Sequence, residues 1–514
     1  MVALATLVIL ACVILEQLWL DEAGTFERIL AAASPTTRQS AIQETWITQR
    51  LDHFNPADTR IWEQRYFQNL EHLREGGPLF VFVGGEEPTS TAWLQDGQMM
   101  ALARTYGAAA FLLEHRFYGA NRPTEDVSTE SLAYLTTEQA LADLALFVAA
   151  LRGRHGGGGA APRVVLFGRS YAASLAAWAR LKYPHLVAGA VASSAPLLAK
   201  ADFREFLEGV AVVLGDESPD CVAHIRAATA EMKRLLTADG GPQELTQLFS
   251  LCRPLNASRS HDVAKLFGSM AALVATAVTD NAALADGRDS VASACNLLVN
   301  ASFGATPLRR YAGVMGRQLR LSSSRCLLVD EDAVVARYRN TSWGSRQVAS
   351  GDRQWLYQTC TQFGFYQTSE SVLQPFGVGM FPLEHSLHLC SAVFGERFTK
   401  DLLEEGIART NLLYGAVTPE VSNVVFLYGS MDPWSYLGAQ GSRSQDTYTI
   451  DIEGAAHAAD MSAASAADSP DLAQARLAVE DIVGDWLARD AEEPWLQPAD
   501  MVVDVEFDND TDTS

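Results

Sequence analysis

Three polar residues far apart in the chain, Ser170, Asp432 and His457, are of the types that together make a hydroxyl attack a carbonyl. Ser170 stands in GRSYA (168–172), directly after the apolar run VVLFG and before a helix-forming string. A nucleophile on such a corner needs small residues two before and two after, because strand and helix backbones nearly touch there. Gly168 and Ala172 meet that need, as a relaxed form of G-x-S-x-G. A serine hydroxyl is a poor nucleophile until a base takes its proton, and the base needs an acid to hold its tautomer. NVVFLYGSMDPWSYLG (423–438) supplies Asp432 after one strand-like run, and EGAAHAADM (453–461) supplies His457 after the next. Singly, an Asp before Pro is a turn former and a loop His is a surface residue. Their order, Ser then Asp then His, is what gives them meaning. The negative charge of a tetrahedral intermediate needs backbone donors, expected from the Tyr171 amide and the Gly84–Gly85 turn of FVGGEEP (82–88).

Two other motifs invite a chemical reading and do not earn it. His155 followed by four glycines imitates an oxyanion loop, but it precedes the nucleophile strand and reads as a flexible helix-to-strand connection. His385 and His388 have metal-ligand types without a third ligand in reach of the pattern, so no metal is expected. Acyl transfer through a serine needs no cofactor, and none is expected.

These residues must be carried by a sheet. Short apolar runs at 78–84, 109–114, 163–168, 187–192, 423–428 and 446–452 read as strands, most of them buried and parallel, with helical patterns between the early ones. The clearest helix, 136–151, opens with the capping string Thr136-Thr137-Glu138-Gln139. From about 200 to 400 helical periodicity dominates, and every cysteine after Cys12 falls there. The expectation is an α/β-hydrolase fold with a helical, disulfide-bearing cap insertion. Its parts are a core over 45–200, a cap over 201–400, the rest of the core over 401–490 and an acidic, disordered tail over 491–514.

The 514 residues carry a formal charge of −23, which argues against nucleic acid or an anionic membrane surface as a partner. Residues 1–22 contain an apolar run and read as a secretory signal peptide, with an uncleaved anchor as the alternative. Six cysteines (Cys221, Cys252, Cys295, Cys326, Cys360, Cys390) point to an oxidising compartment, although six can pair in about 15 ways. Asn256, Asn300 and Asn340 head glycosylation sequons in the same region, with Asn509 in the tail.

Seven blocks carry a resemblance: LDHFNPADTRIWEQRYFQN (51–69), VGGEEP, LEHRFYG (113–119), GRSYAASLAAWARLKYPHLVAGAVASSAP (168–196), RQWLYQTCTQFGFYQT (353–368), YGSMDPW and AHAADM. In order, they resemble the lysosomal Pro-X carboxypeptidase and dipeptidyl peptidase II family of serine peptidases, over about residues 45 to 488, and its thymus-type branch most. The resemblance implies cleavage of peptides next to proline, from either end, with Ser170, Asp432 and His457 as the triad. It implies an acidic contact from Glu86 to a substrate's free amino group and a proline pocket lined by Trp434. It implies the pairs Cys221–Cys295, Cys252–Cys326 and Cys360–Cys390, peptide partners, room for a homodimer, and a lysosomal or secreted location. Arg169 and Ala173 stand where the family usually has glycine, and Gln362 where it commonly has glutamate. A carboxylester hydrolase with the same triad, or a binding protein on a retired hydrolase fold, are the competing readings.

Overall fold

The structure is a computed structural model and describes residues 42–156, 161–281, 290–321, 324–440 and 446–489. The leader, the tail with Asn509 and all but the first residue of the 156–159 glycine run lie outside the described residues.

The central sheet has eight strands: β1 Ile42–Arg50, β2 Ile61–Asn69, β3 Leu79–Val83, β4 Ala109–Leu113, β5 Val164–Arg169, β6 Gly189–Ser193, β9 Val424–Gly429 and β10 Thr447–Ile452, in the order β1-β2-β4-β3-β5-β6-β9-β10. β7 (Lys200–Asp202) and β8 (Gly364–Tyr366) form a separate small parallel ladder. From β4 to β10 every neighbour is parallel, while β1 and β2 run antiparallel at one edge. β3 and β4 are buried along their whole length, because helices cover both faces. This is the α/β-hydrolase architecture, with chemistry expected at the strands' C-terminal ends.

β1 and β2 escaped the apolar-run reading because they alternate with polar residues. Gln49 and Gln64 are buried yet paired with each other, Gln49 Nε2 donating to Gln64 Oε1 at 2.7 Å. The loop after β1 is pinned by charge: Asp143 takes a two-pronged contact from Arg116 at 2.6 and 2.7 Å, and His53 Nε2 lies 2.7 Å from it. Burial alone would raise the Asp143 carboxyl, and these two partners hold it below its ordinary value. His155 closes the helix Thr137–His155 and packs edge-on against Phe111, rather than belonging to a loose connection. At the other face, the helix Pro470–Ala488 presses Trp486 so close to Gly189 that a Cβ there would sit 2.2 Å from the indole.

Helices make up most of the described structure between Glu205 and Tyr414, with disulfides Cys221–Cys295, Cys252–Cys326 and Cys360–Cys390. Asn256, Asn300 and Asn340 are exposed on this region. It meets the sheet at its C-terminal edge. Gly209, on the helix Glu205–Glu217, lets that helix rest on Pro433 and Tyr436, and Thr279 O accepts the His457 N–H at 3.2 Å.

Candidate active site

β5 ends at Arg169, and the helix Tyr171–Lys182 begins one residue after Ser170. Ser170 makes that corner at φ 55° and ψ −132°, backbone that a non-glycine residue adopts at a cost of about 1–3 kcal/mol. Its N–H donates to Ser193 O at 2.9 Å, which ties the corner to β6. The small flanking residues are steric necessities. A Cβ on Gly168 would lie 2.3 Å from Ala172 O, and one on Gly85 would lie 3.4 Å from Ala172 Cβ.

The turn after β3 thus comes against the first turn of the nucleophile helix. Its two glycines differ in what they offer. The Gly84 N–H donates to Leu113 O at 2.8 Å and is engaged in the sheet, so it is not a donor for an oxyanion, contrary to the expectation for the pair. Gly84 instead gives clearance, since a Cβ there would lie 2.5 Å from Leu113 O. Tyr171, as the first helical residue, has an N–H with no intrahelical acceptor.

Asp432 lies just past the end of β9 and is 2% exposed. Its Oδ1 accepts the Trp434 N–H at 3.0 Å, capping the short turn Pro433–Leu437. Its Oδ2 lies 2.9 Å from His457 Nδ1. His457 follows β10, and its side chain is 7% exposed. The structure therefore brings Asp432 and His457 into contact. Among the described residues, Ser170 Oγ has no hydrogen bond of 3.5 Å or less, so the contact expected between it and His457 is not made in this structure.

Further residues brace these corners. Ser194 and Ala458 also have positive φ, 53° and 52°, and the Ala458 N–H donates to Ser194 Oγ at 2.9 Å. Ser193 Oγ bonds Asp460 Oδ1, whose buried carboxyl is pushed above its ordinary range by desolvation. Sequence reading missed this lock. Its trace was the polar pair Ser193-Ser194 inside an apolar stretch and a lone Asp460 three residues past the histidine. Beneath Tyr171 a buried chain runs from Tyr118 Oη to Gln358 Oε1 (2.5 Å), from Gln358 Nε2 to Tyr171 Oη (3.0 Å), and on to His115 Nε2 (3.3 Å). Burial drives His115 down to about 4, so it sits there neutral.

The walls are aromatic and acidic. Trp434 packs with Phe203, Phe206 and Phe365 at ring-centroid distances of 5.5, 5.4 and 5.7 Å, and stands 6.3 Å from the His457 ring. Glu86 keeps partial access to solvent but is ringed by protein. Desolvation first, and then Glu87, push its carboxyl up to about 7, while Arg169 and His457 pull the other way. Gly351 comes against the Glu86 carbonyl, where a Cβ would lie at 2.7 Å. Arg169 turns to Glu87 at 3.6 Å and lies over the Trp93 ring at 5.9 Å. Gln362 accepts the Thr137 N–H at 3.0 Å and donates to Leu135 O, the second of which a glutamate could not do.

Most of the chain is similar in sequence to known serine peptidases. A family model described as serine carboxypeptidase S28 matches residues 49–479. The thymus-specific serine protease of Mus musculus is 38% identical over 460 residues, covering 87% of this chain and 87% of its own length. That of Homo sapiens is 36% identical over 455 residues, covering 86% of each. The lysosomal Pro-X carboxypeptidase of Mus musculus is 28% identical over 464 residues, covering 87% of this chain and 90% of its own.

Proposed function

Because the chain belongs to the S28 family of serine peptidases and is a hydrolase, we propose that Ser170, Asp432 and His457 cleave short peptides next to proline through an acyl-enzyme. The observation that carries the reading is the 2.9 Å contact between Asp432 and His457, whose neighbour Ala458 bonds Ser194, the residue after the Ser193 that anchors the strained corner at Ser170. His457 Nε2 takes the Ser170 proton as Oγ attacks the scissile carbonyl, and Asp432 stabilises the imidazolium. The Tyr171 and Gly85 amides receive the oxyanion, a contribution on the order of 10²–10³ in rate. The protonated His457 then gives its proton to the leaving amine, and water, activated by the same ring, releases the acid. The test is product analysis on a proline-containing peptide, free or blocked at either end, with fluorophosphonate labelling alongside. Cleavage away from proline, or no covalent adduct at Ser170, refutes it.

Trp434 is the proposed wall of the proline pocket, supported by its aromatic packing with Phe203, Phe206 and Phe365. A flat ring suits a cyclic, amide-substituted side chain, which it contacts over its whole face. Trp434→Ala is expected to lower kcat/KM on the proline peptide by about 10- to 100-fold, chiefly through KM, and much less on the alanine analogue. Equal losses on both substrates would remove Trp434 from the pocket.

Glu86 is the proposed contact for a substrate's free amino group. Its carboxyl is neutral below about 7 and charged above, so its attraction for an ammonium switches on as pH rises. The amine itself loses its proton near about 8, which closes the window. KM for a free-amine peptide is expected to fall roughly tenfold between about pH 5.5 and about pH 7.5, as the carboxylate forms, and to rise again above about 8. The N-acetylated peptide, and Glu86→Gln acting on either, should lack the trend. A secretory route, ending in the lysosome or outside the cell, is supported by the disulfides and the exposed sequons.

A further inference from the structure

The two cap histidines left without a role, His385 and His388, meet a third. His261 opens the helix Ser260–Thr279, and its Nδ1 lies 3.2 Å from His385 Nδ1 on the helix Leu383–Phe394. His388, one turn further on, stacks flat on His261 with ring centroids 3.8 Å apart and planes 10° from parallel. At the far side His388 Nε2 lies 3.7 Å from Glu331 Oε1. Glu331 is 2% exposed, and neither of its carboxylate oxygens has a hydrogen bond.

This arrangement accepts few protons. Two ring nitrogens 3.2 Å apart share one hydrogen comfortably, as N–H facing a lone pair. A second proton sets two N–H groups against each other. His388 can take a proton beside the Glu331 carboxylate, but that charge then lies directly on the His261 ring. The other charged groups around the stack are Arg259 just before the His261 helix, Asp262 and Lys265 on it, Glu331 and Asp332 on the helix Glu331–Tyr338, and Asp352, which acts on Lys265. The acids are partly engaged. Asp332 pairs with Arg259 at 2.8 Å, and Asp262 Oδ1 accepts the Glu331 N–H at 3.0 Å. Lys265 feels the opposite charges of Glu331 and Asp352 and adds its own positive field at His385.

We propose that the His261–His385–His388 stack is a proton-operated latch between two cap helices, shut while the rings are neutral and released when more than one takes a proton. Burial first, and then the neighbouring cations, hold His385 down at about 4 and His261 below its ordinary value. The sign follows from that depression. The closed arrangement is favoured in full above the ordinary histidine value of about 6.5 and loses its advantage as pH falls toward about 4. Burial raises the Glu331 carboxyl above its ordinary value, an effect of opposite sign that favours the closed arrangement in acid, so release is driven by the rings. The latch reaches the catalytic residues through one piece of backbone. The His261 helix ends at Thr279, whose carbonyl holds the His457 N–H. Acid therefore loosens the roof over the cleft without touching the triad's side chains.

Hydrogen exchange on the full chain, corrected for the intrinsic pH dependence, tests this at about pH 7 and about pH 5. The helices Ser260–Thr279 and Leu383–Phe394 are expected to open about tenfold more at the lower pH, with the core helix Thr137–His155 unchanged. His261→Phe with His385→Phe keeps flat rings in the contact and is expected to abolish most of that difference. Glu331→Gln, a milder change should the double variant fail to fold, is expected to move the opening to higher pH by removing the counter-charge of His388. Equal protection at both pH values in the wild type, a double phenylalanine variant with the full pH response, or no shift with Glu331→Gln would each overturn the latch.

Discussion

Ser170→Ala is expected to lower kcat on a proline-containing peptide by on the order of 10⁶, with unchanged thermal stability and complete loss of fluorophosphonate labelling. The size follows from what is removed: no other hydroxyl stands on that corner, so the acyl-enzyme path closes. What remains is the acceleration from oriented amides and binding, about 10³–10⁴ over water. Stability should hold for a specific reason. The corner at φ 55° strains alanine as much as serine, and its anchor is the backbone N–H to Ser193 O, which the substitution keeps. Steady-state kinetics with a melting curve decide the matter. A variant that keeps even a hundredth of wild-type turnover would show that Ser170 is not the nucleophile.

Asp432→Asn is expected to cost on the order of 10⁴ in kcat, a larger loss than the removal of one charge from a pocket wall would bring. The reason lies in the other oxygen of the same group. Oδ1 accepts the Trp434 N–H at 3.0 Å, so an asparagine would keep its carbonyl oxygen there and turn its NH₂ toward His457. His457 Nδ1, 2.9 Å from that position, would then have to present its lone pair. The proton moves to Nε2, and the ring can no longer act as base toward Ser170. A pH–rate profile separates this from simple misfolding. The variant should keep its melting temperature and its fluorophosphonate site while its labelling rate collapses. A loss below about tenfold would mean that Asp432 does not hold the tautomer.

Much of this was legible before any coordinates. The parallel strands announced themselves as apolar runs, since strands covered on both faces have no polar side. The residues proposed to carry the chemistry stand where such runs stop, at Ser170, at Asp432 and in the loop with His457. What stayed hidden was hidden for physical reasons. β1 and β2 carry Gln49, Gln64 and Arg65, which look like surface until the side chains are seen to satisfy one another or a neighbouring carboxylate. The pairing Ser193–Asp460 spans residues 267 apart and leaves no periodic trace.

The sequence by itself determined which atoms are available: a hydroxyl between small residues, an imidazole, a carboxylate, glycines, and six cysteines in one region. Such properties are local, because they depend on residue type and on neighbours a few positions away. Only the tertiary structure decided which of them meet. It engaged the Gly84 amide in the sheet and left Gly85 beside Ala172. It turned Arg169 to Glu87, and it gathered three cap histidines from two helices into one stack, with His261 and His385 124 residues apart in the chain. Hydrogen bonds and charges act over a few ångströms of space, whatever their distance along the chain, so their outcome waits on the fold.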